Sequence, residues 1–494
     1  MPIASPPEKT GARKLAWFIL ALLLFSAVLA LPTPVGLSGG GQVALALLAL
    51  VVTLWISECV SPANSAVVLT TLAVLALIGQ KLTLNAPKPL DSAGALSVML
   101  GGFSSSAVIL VAGALFLAVA LKVTGLDRRV ALLVMTRIGV SPSRLIIGAM
   151  AVGFVLALFI PSATARVGAV IPIMVGMVAA LGLPANSGLA ATLMVVTAHA
   201  CSVFNIGIKT GAAQNLITLG FMQEAFGHGI TWGAWFVAAL PFTLGMSLVL
   251  FLLTRLLLRP EVPEEGAAMA SLRSQLAALG PVTGREKRLL AVAAMLLLLW
   301  ATEGWLHPID TTTSTLFGLT LLLAPRIGVM HWAEAEKQVP WGTVILFAAG
   351  ISLGTLLSRS GAATWLARAT LGQLGLEEMP VVGVIAALSA FSILLHLGFA
   401  SATGLASTLI PVVIAFTKTL PVPAETAFGL VMVQGFVVSF GFMLPANAPQ
   451  NMLCYGTGAF TTSQFARVGV LATVIGYGLI LLLSVTWWPL LGFL

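Results

Sequence analysis

Charge is what this sequence has least of. Only 8% of its 494 residues are Asp, Glu, Lys or Arg, against about 25% in a soluble domain, which excludes a water-soluble enzyme of this length. Disorder is excluded by the opposite excess: 59% of residues are hydrophobic, and mean hydropathy is +1.07. Cysteine is scarce too. Cys59, Cys201 and Cys454 each lie inside an apolar stretch and form no CxxC pair, so there is no disulfide framework and no thiolate metal site. HExxH and the GxxxxGK phosphate loop are missing, so nothing points to metalloprotease chemistry or to direct ATP-driven pumping. No organic cofactor is expected.

Apolar mass is what the sequence has in plenty. At roughly 20 residues per transmembrane helix, the chain has room for ten to twelve spans, and we expect about 11. The apolar run Leu15–Leu31 follows Lys9, Arg13 and Lys14. It reads as a first membrane helix; the alternative is a cleaved signal peptide with Ala30 near the cleavage site. Two apolar stretches, 144–178 and 381–418, are interrupted midway by small polar residues. That pattern predicts re-entrant hairpins, which turn back inside the membrane.

The polar linker 259–287 divides the chain, and its two sides match. Val108–Gly113 resembles Val344–Gly350, and Gly125 and Gly361 follow at the same offset of 236. Trp55-Ile56-Ser57-Glu58 resembles Trp300-Ala301-Thr302-Glu303, and Gln214-Asn215 repeats as Gln450-Asn451. Pro161-Ser162-Ala163-Thr164 resembles Ala400-Ser401-Ala402-Thr403. Four matches in one order indicate duplication. The expected organisation is a segment 1–42 with the first helix, a repeat over 43–258, the linker, and a repeat over 288–494. Each repeat holds a hairpin and a broken helix, the latter at 190–225 and 424–458. An odd number of crossings per repeat inverts the second copy, as in secondary transporters. With the N-terminus in the cytoplasm, seventeen Lys/Arg fall on the inner side and five on the outer; this positive-inside bias supports that orientation, and the expected location is the inner membrane.

The chemistry is expected where the repeats coincide. Ser162-Ala163-Thr164 and Ser401-Ala402-Thr403 each precede an apolar helical run, and Ser is a good N-cap. Two half-helices starting at mid-membrane would aim their N–H groups and positive dipole ends at one point, making an anion site. Thr210–Asn215 and Pro445–Asn451 would unwind a span and free backbone carbonyls. Those carbonyls, with the oxygens of Asn215 and Asn451, are hard neutral ligands suited to Na⁺. Lys209 and Arg166 are intramembrane cations, functional by default. Lys209 is a candidate substrate contact or sodium surrogate; Arg166 is a substrate contact or a support for its tip. Glu58 and Glu303 read as structural, and His199 and His396 as packing residues. An intramembrane enzyme pairing Ser401 with His396 fits poorly, because five residues do not share a helix face.

The paired triplets and paired broken segments resemble those of the divalent anion/sodium symporter family, over about residues 40–490. Its hallmark is Ser-Asn-Thr at each tip and a Thr-Pro-Pro-Asn-like stretch in each broken helix. Here the tips carry Ala163 and Ala402, and the stretches read Ala212-Ala213-Gln214-Asn215 and Ala448-Pro449-Gln450-Asn451. The resemblance implies an all-α homodimer of elevator transporters in the lipid bilayer, carrying di- or tricarboxylates. It places substrate on Ser162, Ala163, Thr164, Ser401, Ala402, Thr403, Asn215 and Asn451, to which Lys209 is added here. It places Na⁺ on Ser162, Gly211, Asn215, Ser401, Ala448 and Asn451. Arg166 is similar to the organic-acid exchanger branch. Gln214 and Gln450 are available as replacement amides. The expected function is Na⁺ symport or exchange of a small anion, with no nucleic-acid partner. The alternatives are an inorganic oxyanion such as sulfate and a sodium-independent exchanger.

Overall fold

The structure, a computed structural model, describes residues 11–261 and 265–494; Lys9 and the rest of the first ten residues lie outside it. Every regular element among the described residues is helical. Among the described residues, eight helices are long and apolar enough to cross a membrane, and seven further apolar helices have 10–17 residues. Length alone therefore does not return eleven spans. Pro62–Leu77 and Thr311–Leu323 fall short of the roughly 20 residues a perpendicular crossing needs.

Both hairpins are present. Pro142–Ala157 runs to the first tip and Ala163–Ala180 runs back; Val381–His396 and Ala402–Thr417 do the same in the second half. The returning helices contain Pro172 and Pro411, at the same offset of 239 as the tips. Both broken helices are present as well. Gly188–Gly207 and Ala213–Phe226 flank the short turn Lys209–Gly211. Ala424–Val437 and Pro449–Tyr455 flank Pro445–Asn447. The residues that restart these helices, Ala212 (φ −151°, ψ 144°) and Ala448 (φ −155°, ψ 143°), have nearly the same extended backbone.

The matched glycines now have a reason. Gly125 and Gly361 follow helices Ser106–Thr124 and Trp341–Arg359 with φ of 73° and 78°, left-handed conformations that disfavour any side chain. The connecting segments hold helices that apolar periodicity did not anticipate: Ser92–Leu100, Leu126–Ile138 and Glu265–Ala278. The first broken helix forms the centre of the bundle. Every residue in the apolar window of Gly188–Gly207 is buried, against 11% of that in Gly11–Ala30, which is left for lipid to cover.

The sequence holds two GxSxG strings. In Gly36–Gly40 the serine is the N-cap of helix Gly39–Ser57, accepting the Gly41 N–H at 3.0 Å; the other, Gly350–Gly354, is not a nucleophile elbow either. It lies in the middle of Trp341–Arg359, where the buried Ser352 hydroxyl accepts the Gly102 N–H at 3.0 Å. Its glycines serve close packing. A Cβ at Gly354 would press into the Phe221 ring and lie 2.9 Å from Pro411, joining this helix to the first broken helix and the second hairpin. Gly354→Val should destabilise the fold by about 1–3 kcal/mol, the usual cost of overpacking. Thermal unfolding in detergent would show it; an unchanged midpoint would mean these helices can separate freely.

Candidate functional site

The two tips meet at one cavity. Ser162 and Ser401 both stand at the N-cap, their hydroxyls accepting the N–H of Ala165 at 3.2 Å and of Gly404 at 3.3 Å. Ser162–Thr164 and Ser401–Thr403 together line a cavity of about 230 Å³. That is smaller than the roughly 300–1,000 Å³ of drug-sized pockets, so it suits a ligand of few carbons. The remaining polar lining is neutral or a histidine: Ser202, Asn205, Gln214, Thr343, His396, Ser439 and Gln450. Ala212 and Ala448, the restart points of the broken helices, complete the lining from both halves.

Asn215 and Asn451 do not line this cavity; they sit behind it and hold the breaks open. Asn215 Nδ2 donates to Asn205 O at 2.6 Å and Ile208 O at 3.0 Å. Asn451 Nδ2 donates to Gly441 O at 2.8 Å and Leu444 O at 3.4 Å. These acceptors are themselves repeat partners at the 236 offset. Because the surrounding carbonyls need donors, the amide orientation is determined. Each Oδ1 then points the other way, buried and without a partner.

Arg166 is fully buried and is committed to the first break. Nη1 donates to Gly211 O at 2.8 Å and to Ile160 O at 3.0 Å. Nη2 donates to Cys201 O at 3.2 Å and to Asn205 Oδ1. Among the described residues no carboxylate forms an ion pair with it. In the second half, His396 Nε2 lies 3.2 Å from Asn447 O. Gly211 and Asn447 are 236 residues apart, so two different basic side chains address the same carbonyl of the two breaks. Gly441 stands where the first half has Asn205, and a Cβ there would come 3.2 Å from His396 Nε2. The missing side chain makes room for the ring. His396 is thus a lining residue that its reading as a packing residue missed.

Lys209 is not brought to the shared cavity. It borders a separate cavity of about 510 Å³, with Glu303, Asp310 and Thr311. Its Nζ donates to Thr311 Oγ1 at 2.9 Å and lies 3.8 Å from Glu303 Oε2. Glu303 also accepts Trp232 N at 2.9 Å and Thr311 N at 3.1 Å, which gives it the structural role expected of it. Its repeat partner Glu58 is exposed and ends a helix with φ 48°. His199 is a packing residue, its ring nitrogens on Val195 O and Phe442 O. Ser202, Asn205 and Ser439 were not singled out from sequence; each lies in a long apolar run near a repeat offset, a weak signal until the breaks are located. Ser401 Oγ and His396 Nε2 are engaged with separate backbone groups and do not form a nucleophile–base pair.

Comparison with known proteins agrees with this architecture. The family model described as "Sodium:sulfate symporter transmembrane region" matches residues 12–494. A "Membrane protein" of Cupriavidus necator is 48% identical over 96% of this chain and 92% of its own length. The "L-tartrate/succinate antiporter" of Escherichia coli K12 is 27% identical, over 96% and 98% respectively. Among solved structures, the YdaH transporter of Alcanivorax borkumensis superposes with a TM-score of 0.56 over 92% of this chain and 99% of its own, at 15% identity. That last likeness concerns the fold alone.

The Lys209–Glu303 contact makes a stability prediction. Lys209→Met leaves a largely buried carboxylate, 11% exposed, without its cation, which should cost no more than the roughly 3–5 kcal/mol of a fully buried pair. Lys209→Met with Glu303→Gln should recover much of that loss, because no charge is stranded. Thermal unfolding of both variants measures it. Equal destabilisation by the single and double variants would show that the charges are not coupled.

Proposed function

The chain belongs to the sodium:sulfate symporter transmembrane family, and from that premise we propose that it exchanges small dicarboxylates across the inner membrane without sodium. The observation that carries this reading is Arg166. In a sodium-coupled site the first break would offer the Gly211 carbonyl to Na⁺. Here a guanidinium 2.8 Å from that oxygen already takes it, and a second cation would be repelled at that distance. The first half therefore fits a tethered cation rather than Na⁺; in the second half His396 Nε2 takes the matching Asn447 carbonyl.

An anion suits the rest of the cavity. The N-terminal N–H groups around Ala163, Thr164, Ala402 and Thr403 offer donors and two positive dipole ends, with Ser162, Thr164, Ser401 and Thr403 supplying hydroxyls. Arg166, lacking a carboxylate partner, supplies net charge. Two opposed tips favour a ligand with a carboxylate at each end. The antiporter relatives are named for such substrates, and the sulfate-like alternative rests on the family's description.

The mechanism adopted here is elevator-type alternating access in a homodimer, following the family resemblance. It is supported by two cavities flanking the first broken helix, with Lys209 and Glu303 bordering the second. Pro62 and Pro340, which follow segments on the Lys/Arg-rich side, line the shared cavity, which supports access to it from the side taken as cytoplasmic.

Exchange in proteoliposomes tests this directly. Dicarboxylate exchange should be unchanged when external Na⁺ is replaced by K⁺; a steep rise with Na⁺ would restore symport. Thr164→Val and Thr403→Val should each weaken apparent substrate affinity by roughly tenfold or more, the cost of a lost hydrogen bond to a charged group. Unchanged affinity in both would remove the tips from the substrate site.

A further inference from the structure

Away from the substrate cavity, an apolar groove of about 530 Å³ opens on the outside of the bundle. One wall is the first arm of the first hairpin, Pro142–Ala157, through Ile147, Ala151 and Phe154. The other is Trp232–Leu258, through Leu240, Leu244 and Phe251, and Phe204 of the first broken helix is the floor. No charged side chain lines it. Its rim is open: Leu244 and Leu248 are 61% and 60% exposed, so nothing among the described residues covers it. From Leu240 to Phe251 the helix rises about 16 Å, close to half of the roughly 30 Å hydrocarbon core. The groove has the length of one leaflet.

The end of the groove nearer the Lys/Arg-rich side is cationic. Arg144 stands one turn before Ile147 and Arg255 one turn after Phe251, spacings that put each on the groove-lining face of its helix. Arg255 Nη1 donates to Ser143 Oγ, which joins the two helix ends. Both arginines are exposed, and neither forms an ion pair among the described residues. A soluble anion would use the arginines and leave the groove empty, and a neutral hydrocarbon would do the reverse. A phospholipid uses both, with its phosphate on the guanidinium forks and an acyl chain in the groove.

We propose that this groove binds an anionic phospholipid of the leaflet on that side. A zwitterionic lipid carries the same phosphate but neutralises it with its own cation, so a headgroup of net negative charge gains more from Arg144 and Arg255. The site reaches Arg166 through its floor. The Phe154 and Phe204 rings meet edge to face with centroids 5.5 Å apart. Phe204 lies between Cys201 and Asn205 in the chain, whose oxygens hold Arg166. An acyl chain packed on this aromatic pair fastens the first hairpin to the first broken helix.

The experiment titrates the purified, delipidated protein in detergent micelles with phosphatidylglycerol or with phosphatidylcholine of the same acyl chains. Bound lipid is followed by native mass spectrometry, and the unfolding midpoint is measured alongside. Wild-type protein should bind phosphatidylglycerol about tenfold or more tightly than phosphatidylcholine, since each arginine at a headgroup contributes about fivefold, and its midpoint should rise with the bound lipid. Arg144→Gln with Arg255→Gln should bring that ratio to within about threefold of parity, whereas Arg144→Lys with Arg255→Lys should keep most of it. Ala151→Trp, which fills the groove, should weaken both lipids alike by about tenfold. Equal binding of the two lipids by wild type, an unchanged ratio in the glutamine variant, or full affinity in Ala151→Trp would overturn the site. Inorganic phosphate should leave the midpoint unmoved; a rise equal to that with phosphatidylglycerol would mean that the arginines hold a free anion and the groove no lipid. A lower oligomeric mass of Ala151→Trp with lipid binding intact would make the groove an interface between copies, and would also overturn it. Neither readout involves a transported substrate, so failure here leaves the exchange reading standing.

Discussion

A guanidinium buried in the centre of a membrane bundle, without a carboxylate partner among the described residues, is the constraint on which the rest of this site depends. Arginine stays protonated in proteins, so Arg166 brings a permanent positive charge into an apolar interior. Four oxygens, from Ile160, Cys201, Asn205 and Gly211, solvate it, but none neutralises it. Gly211 O is available because the helix is broken there, since an unbroken helix would have spent it on its own N–H groups; Ile160 O comes from the hairpin tip, and Cys201 and Asn205 from the last turns before the break. The break, the tip that precedes Arg166 and the charge are therefore one arrangement. Its natural complement is an anion in the adjoining cavity.

The same constraint separates exchange from symport. A sodium ion can leave with the substrate, so an empty symport site returns without net charge. A tethered guanidinium cannot leave. Moving the empty site through the membrane would carry an uncompensated charge past lipid-facing helices, at the several kcal/mol that intramembrane charge typically costs. Returning with a second anion avoids that cost, and obligatory exchange follows from the covalent attachment of the cation.

Much of this was legible in the sequence because duplication writes every functional element twice. Both hairpins, both N-cap serines and both breaks could be placed from paired motifs. The glycines at 125 and 361 could be paired long before their left-handed backbone was seen. What could not be read is what each half does differently. At the hairpin offset of 239, Arg166 has Leu405 and His396 has Ala157 at the corresponding place, so neither shows as a repeat, and their shared carbonyl appears only once the breaks fold. Lys209 misled for a related reason. Proximity along the chain put it beside the site, whereas the extended backbone around Ile208 sends its side chain to Glu303. Short amphipathic helices such as Leu126–Ile138 were missed because charge interrupts the apolar pattern that marked the spans.

Efflux from preloaded proteoliposomes bears most directly on the tethered-cation account. Vesicles filled with labelled dicarboxylate are diluted into buffer that contains Na⁺ but no substrate, and then into the same buffer with unlabelled dicarboxylate. The account predicts slow release in the first case, at any sodium gradient, and release at least about tenfold faster in the second, the difference made by a barrier about 1.4 kcal/mol higher for the empty site. Rapid release without external substrate, driven by the sodium gradient, would contradict it.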